Sequence, residues 1–77
     1  MGVMDKAMMQ DHLEQARRHV ADGDKHVARQ RKLVAKLDRD GHDSSEARRL
    51  LQQFEELQRL HIGDRDRLVK KLAEISN

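Results

Sequence analysis

The chain has 77 residues, of which 39% are charged, 36% hydrophobic and 1% aromatic. That length bounds it to one small domain. With no Cys, no Pro and 4 Gly, disulfide frameworks, thiolate zinc sites and turn-rich β architectures are excluded. Lys and Arg number 16 and Asp and Glu 14, a formal charge of +2, which is too balanced to name nucleic acid as a partner by itself.

The N-terminal segment lacks the basic start and apolar run of a secretory signal, and no stretch approaches the ~18 apolar residues of a membrane span. No membrane contact and a cytoplasmic location are therefore expected. From about residue 5 to about residue 40, Ala, Leu, Arg, Lys, Gln and Glu predict a first helix. A seven-residue repeat runs through it, with a seam of Met9, Leu13, Ala16, Val20, Gly23, Val27, Gln30, Val34 and Leu37. The steps alternate four and three. An ordinary amphipathic helix would drift off a strict seven, so the pattern predicts coiled-coil packing.

The only break is Asp38 to Glu46. Gly41 can adopt the left-handed conformation that stops a helix. Asp43 followed by Glu46 reads as a capping box that opens a second helix at about 43–75. The loop is thus expected at about 40–43, within a single domain spanning 1–77.

The second helix carries a matching seam of Ala47, Leu50, Phe54, Leu57, His61, Asp64, Leu68, Lys71 and Ile75. Folding the chain at Gly41 sets Leu37 against Ala47, Val34 against Leu50, Val27 against Leu57 and Gly23 against His61. The fold class is all-α, an antiparallel helical hairpin. Its polar seam members Gln30, His61, Asp64 and Lys71 are expected to fix register at some cost in stability.

Apolar residues remain outside both seams. Leu51, Ile62, Val69 and Leu72 form a second stripe on helix 2, with Leu60 on the other flank. Leu33, Val3, Met4 and Met8 lie beside the seam of helix 1. A chain this small rarely builds enough core alone. A homodimer is expected, forming a four-helix bundle through Leu33, Leu51, Leu60, Ile62, Val69 and Leu72.

Of the 5 His, His12, His19 and His26 recur every seven residues. Successive members stand roughly 10.5 Å apart along the helix, too far for one metal to bridge. A metal site would need His61 and Asp64 beside His19 or His26, and no HExxH or paired ExxH motif supports one. No metal and no cofactor is expected. Acid would charge histidines buried near the seam and destabilise the fold. No catalytic residue is assigned: the serines are Ser44, Ser45 and Ser76, and the carboxylates are scattered.

The sharpest charge signal is Lys25, Arg29, Lys32 and Lys36, which step by four, three and four along one ridge of helix 1. Residues 25–37 contain these four, Arg31 and no acid. Such a ridge can track phosphates, although the chain has no surface aromatic pattern for stacking on bases.

The stretch from Asp11 to Leu72 resembles a family of short helical bacterial proteins seen mainly in alphaproteobacteria. The likeness lies in residues 26–31 (HVARQR), 40–44 (DGHDS), 50–56 (LLQQFEE) and 61–68 (HIGDRDRL). It implies a bacterial, cytoplasmic setting and no particular activity. Gly63 departs from the family's tendency to a better helix former. The function expected from all this is a non-enzymatic, homo-oligomeric scaffold for a protein partner. The alternatives are an RNA- or DNA-binding hairpin dimer using the basic ridge, and a His-rich metal- or pH-responsive bundle.

Overall fold

The computed structural model describes residues 5–76. Val3 and Met4, expected beside the seam, lie outside the described residues. Helix α1 runs Lys6–Arg39 and helix α2 runs Ser45–Ile75. They pack lengthwise against each other as a hairpin measuring 59 × 16 × 15 Å.

Local chemistry explains where each helix starts and stops. The Asp5 carboxylate accepts a hydrogen bond from the Met8 N–H at 2.8 Å and caps α1. Lys36 and Arg39 occupy its last turn, where cations favour the negative end of the helix dipole. Gly41 has φ 77°. The Gly41 N–H donates to the Asp38 carbonyl at 3.2 Å and the His42 N–H to that of Leu37 at 2.8 Å. This is the Schellman closure, which satisfies carbonyls that the helix end leaves open.

The expected capping box at Asp43 is replaced by a different arrangement. Asp43 accepts from the backbone N–H of Ser45 at 2.9 Å and from its hydroxyl at 2.6 Å. The helix starts at Ser45, with Ser44 in the N-cap position and no side-chain cap bond. Ser44 is buried. Its hydroxyl donates to Asp38 at 2.6 Å and accepts from Arg48 Nε at 3.0 Å. Arg48 also pairs with Asp38. The hydroxyl that would cap α2 instead ties its first turn to the last turn of α1.

The predicted seam of α1 is observed throughout. Met9, Leu13, Ala16, Val20, Val27, Gln30 and Val34 are buried, and Gly23 and Leu37 are half-buried. The seam of α2 is partly corrected. Ala47, Phe54, His61 and Leu68 do face α1, all half-buried. Leu50, Leu57, Asp64, Lys71 and Ile75 are exposed, and the alternate layers are Leu51, Gln58, Arg65 and Leu72. Helix α2 is thus turned by one position from the expected orientation.

Asp64 and Lys71 therefore drop out of the polar seam, and Gln58 joins Gln30 in it. Each glutamine reaches across the seam. Gln30 Nε2 donates to the Ala47 carbonyl at 2.9 Å, and Gln58 Nε2 donates to the Val20 carbonyl at 2.8 Å. These bonds and the Asp38–Ser44–Arg48 tie set the rotation of α2.

Candidate functional site

The seam has two edges, and they differ in chemistry. On one edge, α1 and α2 are clasped by polar contacts. Arg48 pairs with Asp38, and Arg31 with Glu55 at 3.0 Å. Gln58 Nε2 also donates to Asp24 at 2.8 Å. Ile62 sits in this edge beside Asp24 and Arg31. Exposed ion pairs of this kind contribute only ~0–1 kcal/mol each, but they cover the apolar seam with charge.

The other edge is open. From α1 it carries His12, His19, His26 and Leu33, which step by sevens beside the buried row. From α2 it carries Leu50, Leu57, Asp64 and Lys71. Near the chain ends, a groove of about 710 Å³ is lined by His12, His19, His61, Asp64 and Lys71, among others. Farther along lie His26, Phe54 and Leu57, and then Leu33, Leu37 and Leu50 toward the loop. Leu33, Leu50 and Leu57 are 44%, 40% and 49% exposed. Among the described residues no side chain is wholly buried, so the hairpin's own seam is shallow.

Two ring pairs line the open edge. The His19 and His61 rings lie 5.0 Å apart, tilted by 48°, and those of His26 and Phe54 lie 5.8 Å apart. His19 and His26 are exposed and His61 is half-buried, so of the histidines near the seam only His61 is partly covered, and the acid destabilisation expected from buried histidines loses most of its basis. Asp64 pairs with Arg67. Among the described residues no three His, Asp or Glu side chains gather as a metal-ligand set.

The residues expected at a dimer interface divide four ways. Leu33 lies on the open edge. Leu51 and Leu72 are taken up by the intramolecular seam, and Ile62 by the clasped edge. Leu60 is 65% exposed and Val69 is exposed as well. Sequence reasoning had assigned Leu50 and Leu57 to the seam and missed them here. The signal was present as a row of apolar residues directly adjacent to the one formed by Leu51 and Leu72.

Lys25, Arg29, Lys32 and Lys36 are all exposed, on the side of α1 turned away from α2. Arg18, Arg31, Arg48, Arg65 and Arg67 are each engaged with a carboxylate. Among the described residues, none of the four ridge cations is within ion-pair distance of one.

No helix among the described residues is long and apolar enough to cross a membrane. Compared with models of known protein families, with curated proteins and with solved structures, the chain matches none.

Proposed function

We propose that the chain is a non-enzymatic interaction protein that acts as a homodimer, in which two hairpins meet across the open edge to form a four-helix bundle that scaffolds a protein partner. The observation that carries this reading is the asymmetry of the two edges. Toward the loop, one edge is bridged by two ion pairs, while the other leaves Leu33, Leu50 and Leu57 in water. A two-stranded coiled coil needs only two apolar positions per heptad, whereas bundle helices add a third along one flank. Leu50 and Leu57 supply that third row on α2, and Leu33 supplies it on α1.

The same patch on each copy can meet its twin about a two-fold axis, which is how most small homo-oligomers close. The non-enzymatic part of the proposal is supported by the use the fold makes of its polar groups. The buried Ser44 hydroxyl is held between Asp38 and Arg48. A bacterial cytoplasmic setting is proposed with it, on the strength of the family resemblance. Multi-angle light scattering at micromolar concentration tests the dimer. The expected mass is twice the chain's 9.0 kDa, and a mass of one chain across the whole concentration range would refute it.

A further inference from the structure

We propose that the outer face of α1 binds the phosphate backbone of double-stranded nucleic acid through Lys25, Arg29, Lys32 and Lys36. This surface lies away from the open edge, so the inference stands independently of dimer formation. The four cations follow one face of an uninterrupted helix, and Lys25 to Lys36 span roughly 16 Å at ~1.5 Å per residue. Residues 25–37 contain no acid.

The fold keeps these charges available. It commits Arg18, Arg31, Arg48, Arg65 and Arg67 to carboxylates, while the ridge cations have no such partner among the described residues. Of the flanking acids, Asp38 is already engaged by Arg48 and Ser44 and Asp24 accepts from Gln58 on the clasped edge, while Asp22 and Asp40 are exposed at the two ends of the ridge. Ala28 and Ala35 are exposed beside the ridge. Their small side chains let the helix approach a phosphate-lined groove closely, with the longer Lys and Arg reaching to the strands.

The same face argues against other anionic partners. Binding of unstacked single strands draws on aromatic platforms, and the one aromatic residue, Phe54, is half-buried in the seam. Insertion into a lipid surface requires apolar anchors beside the cations, and this face offers only alanine.

Fluorescence anisotropy tests the proposal, using labelled duplex DNA, duplex RNA and the matching single strands, with phosphatidylserine vesicles in a parallel flotation assay. Each phosphate neutralised contributes a slope of about −0.9 to log K against log salt. Four contacts therefore predict duplex affinity falling roughly 150-fold between about 50 and 200 mM salt. The variant Lys25→Gln/Arg29→Gln/Lys32→Gln/Lys36→Gln keeps good helix formers at exposed positions, should retain its helical circular dichroism, and should lose duplex binding. The control Arg49→Gln/Lys70→Gln, on exposed positions of α2, should keep the ridge-dependent affinity. The two duplex arms distinguish DNA from RNA as the source of the phosphates. The proposal is overturned by no binding of either duplex at about 50 mM salt, by equal losses in the two variants, by preference for single strands, or by binding to vesicles alone.

Discussion

Gln58 fills the notch that Gly23 leaves in α1. A Cβ at Gly23 would lie 2.6 Å from Gln58 Cδ and 3.2 Å from its Nε2. The amide is held in place by donating to the Val20 carbonyl and to Asp24, both at 2.8 Å. Its Oε1 is buried, with no hydrogen-bond partner among the described residues. His61, the residue expected opposite Gly23, lies beside His19 instead. One missing side chain on α1 thus admits one polar side chain from α2, and their fit helps decide which face of α2 meets the seam.

Gly23→Ala is expected to destabilise the hairpin, although alanine gains about 1 kcal/mol of helix propensity over glycine. The Cβ displaces a buried amide. Giving up its two hydrogen bonds costs about 0.5–1.5 kcal/mol each, with a further penalty for leaving the group unpaired. In a Gln58→Ala background the notch is empty, and Gly23→Ala should instead stabilise by about 1 kcal/mol. Urea melts of the four combinations measure this reversal of sign. If Gly23→Ala stabilises in both backgrounds, Gly23 does not face Gln58.

Gln30 presents the opposite case. It is buried, and its Nε2 reaches the Ala47 carbonyl, an acceptor in the first turn of α2 that also serves the helix's own ladder. Gln30→Leu removes the donor together with the need to satisfy it, and such replacements are near neutral or stabilising. A change between zero and about 1 kcal/mol in favour of Leu is expected. Gln30→Ala should cost roughly 1–3 kcal/mol through lost packing. Thermal or urea unfolding separates the two, and a Leu variant weaker than the Ala variant would contradict this account.

Helix α1 was legible in the sequence because its apolar row is unambiguous: Val20, Val27 and Val34 recur at strict sevens, with Met9, Ala16 and Gly23 on the alternate layer. Helix α2 was legible only in part. It carries two apolar rows at neighbouring positions, Leu50 with Leu57 and Leu51 with Leu72, and periodicity alone cannot choose between them. The choice rests on polar contacts across the seam, above all Gln58 with Val20 and Arg48 with Asp38. No count of hydrophobic spacing contains these. Gly41 was read correctly as the stop of α1, but the capping box at Asp43 was misread for a related reason: an Asp that caps a helix and an Asp that folds back on a Ser two residues later share the same local sequence. The basic ridge was fully legible, since an exposed helical face follows directly once the seam of α1 is known.

The turn at Asp43 carries a pH prediction. Its carboxyl titrates below the ordinary value of 3.8, held down first by the Ser45 hydroxyl and then by the Ser45 N–H, with burial opposing slightly. Both bonds favour the ionised form. A folded pKa below the unfolded one means that the contribution to stability is present above pH 3.8 and is lost as the pH falls through the folded value. Ser45→Ala should shift the Asp43 titration upward, toward its ordinary value, in an NMR pH series. An unchanged midpoint would show that the hydroxyl is not the main cause.

The open edge can be tested by placing charge on it. Leu57 is exposed on the hairpin but would be covered by a second copy, whereas Leu60 is 65% exposed on the outward face of α2. A glutamate at either position costs the single hairpin little, because neither side chain is part of its seam. Across a dimer interface the two differ, since burying an unpaired carboxylate costs several kcal/mol. Leu57→Glu should therefore convert the dimer to a 9.0 kDa species in light scattering, while Leu60→Glu keeps the dimer mass. Retention of helical circular dichroism in both variants distinguishes dissociation from unfolding. If Leu60→Glu dissociates the dimer and Leu57→Glu does not, the copies meet through the outer face of α2, and the asymmetry of the seam edges has another cause.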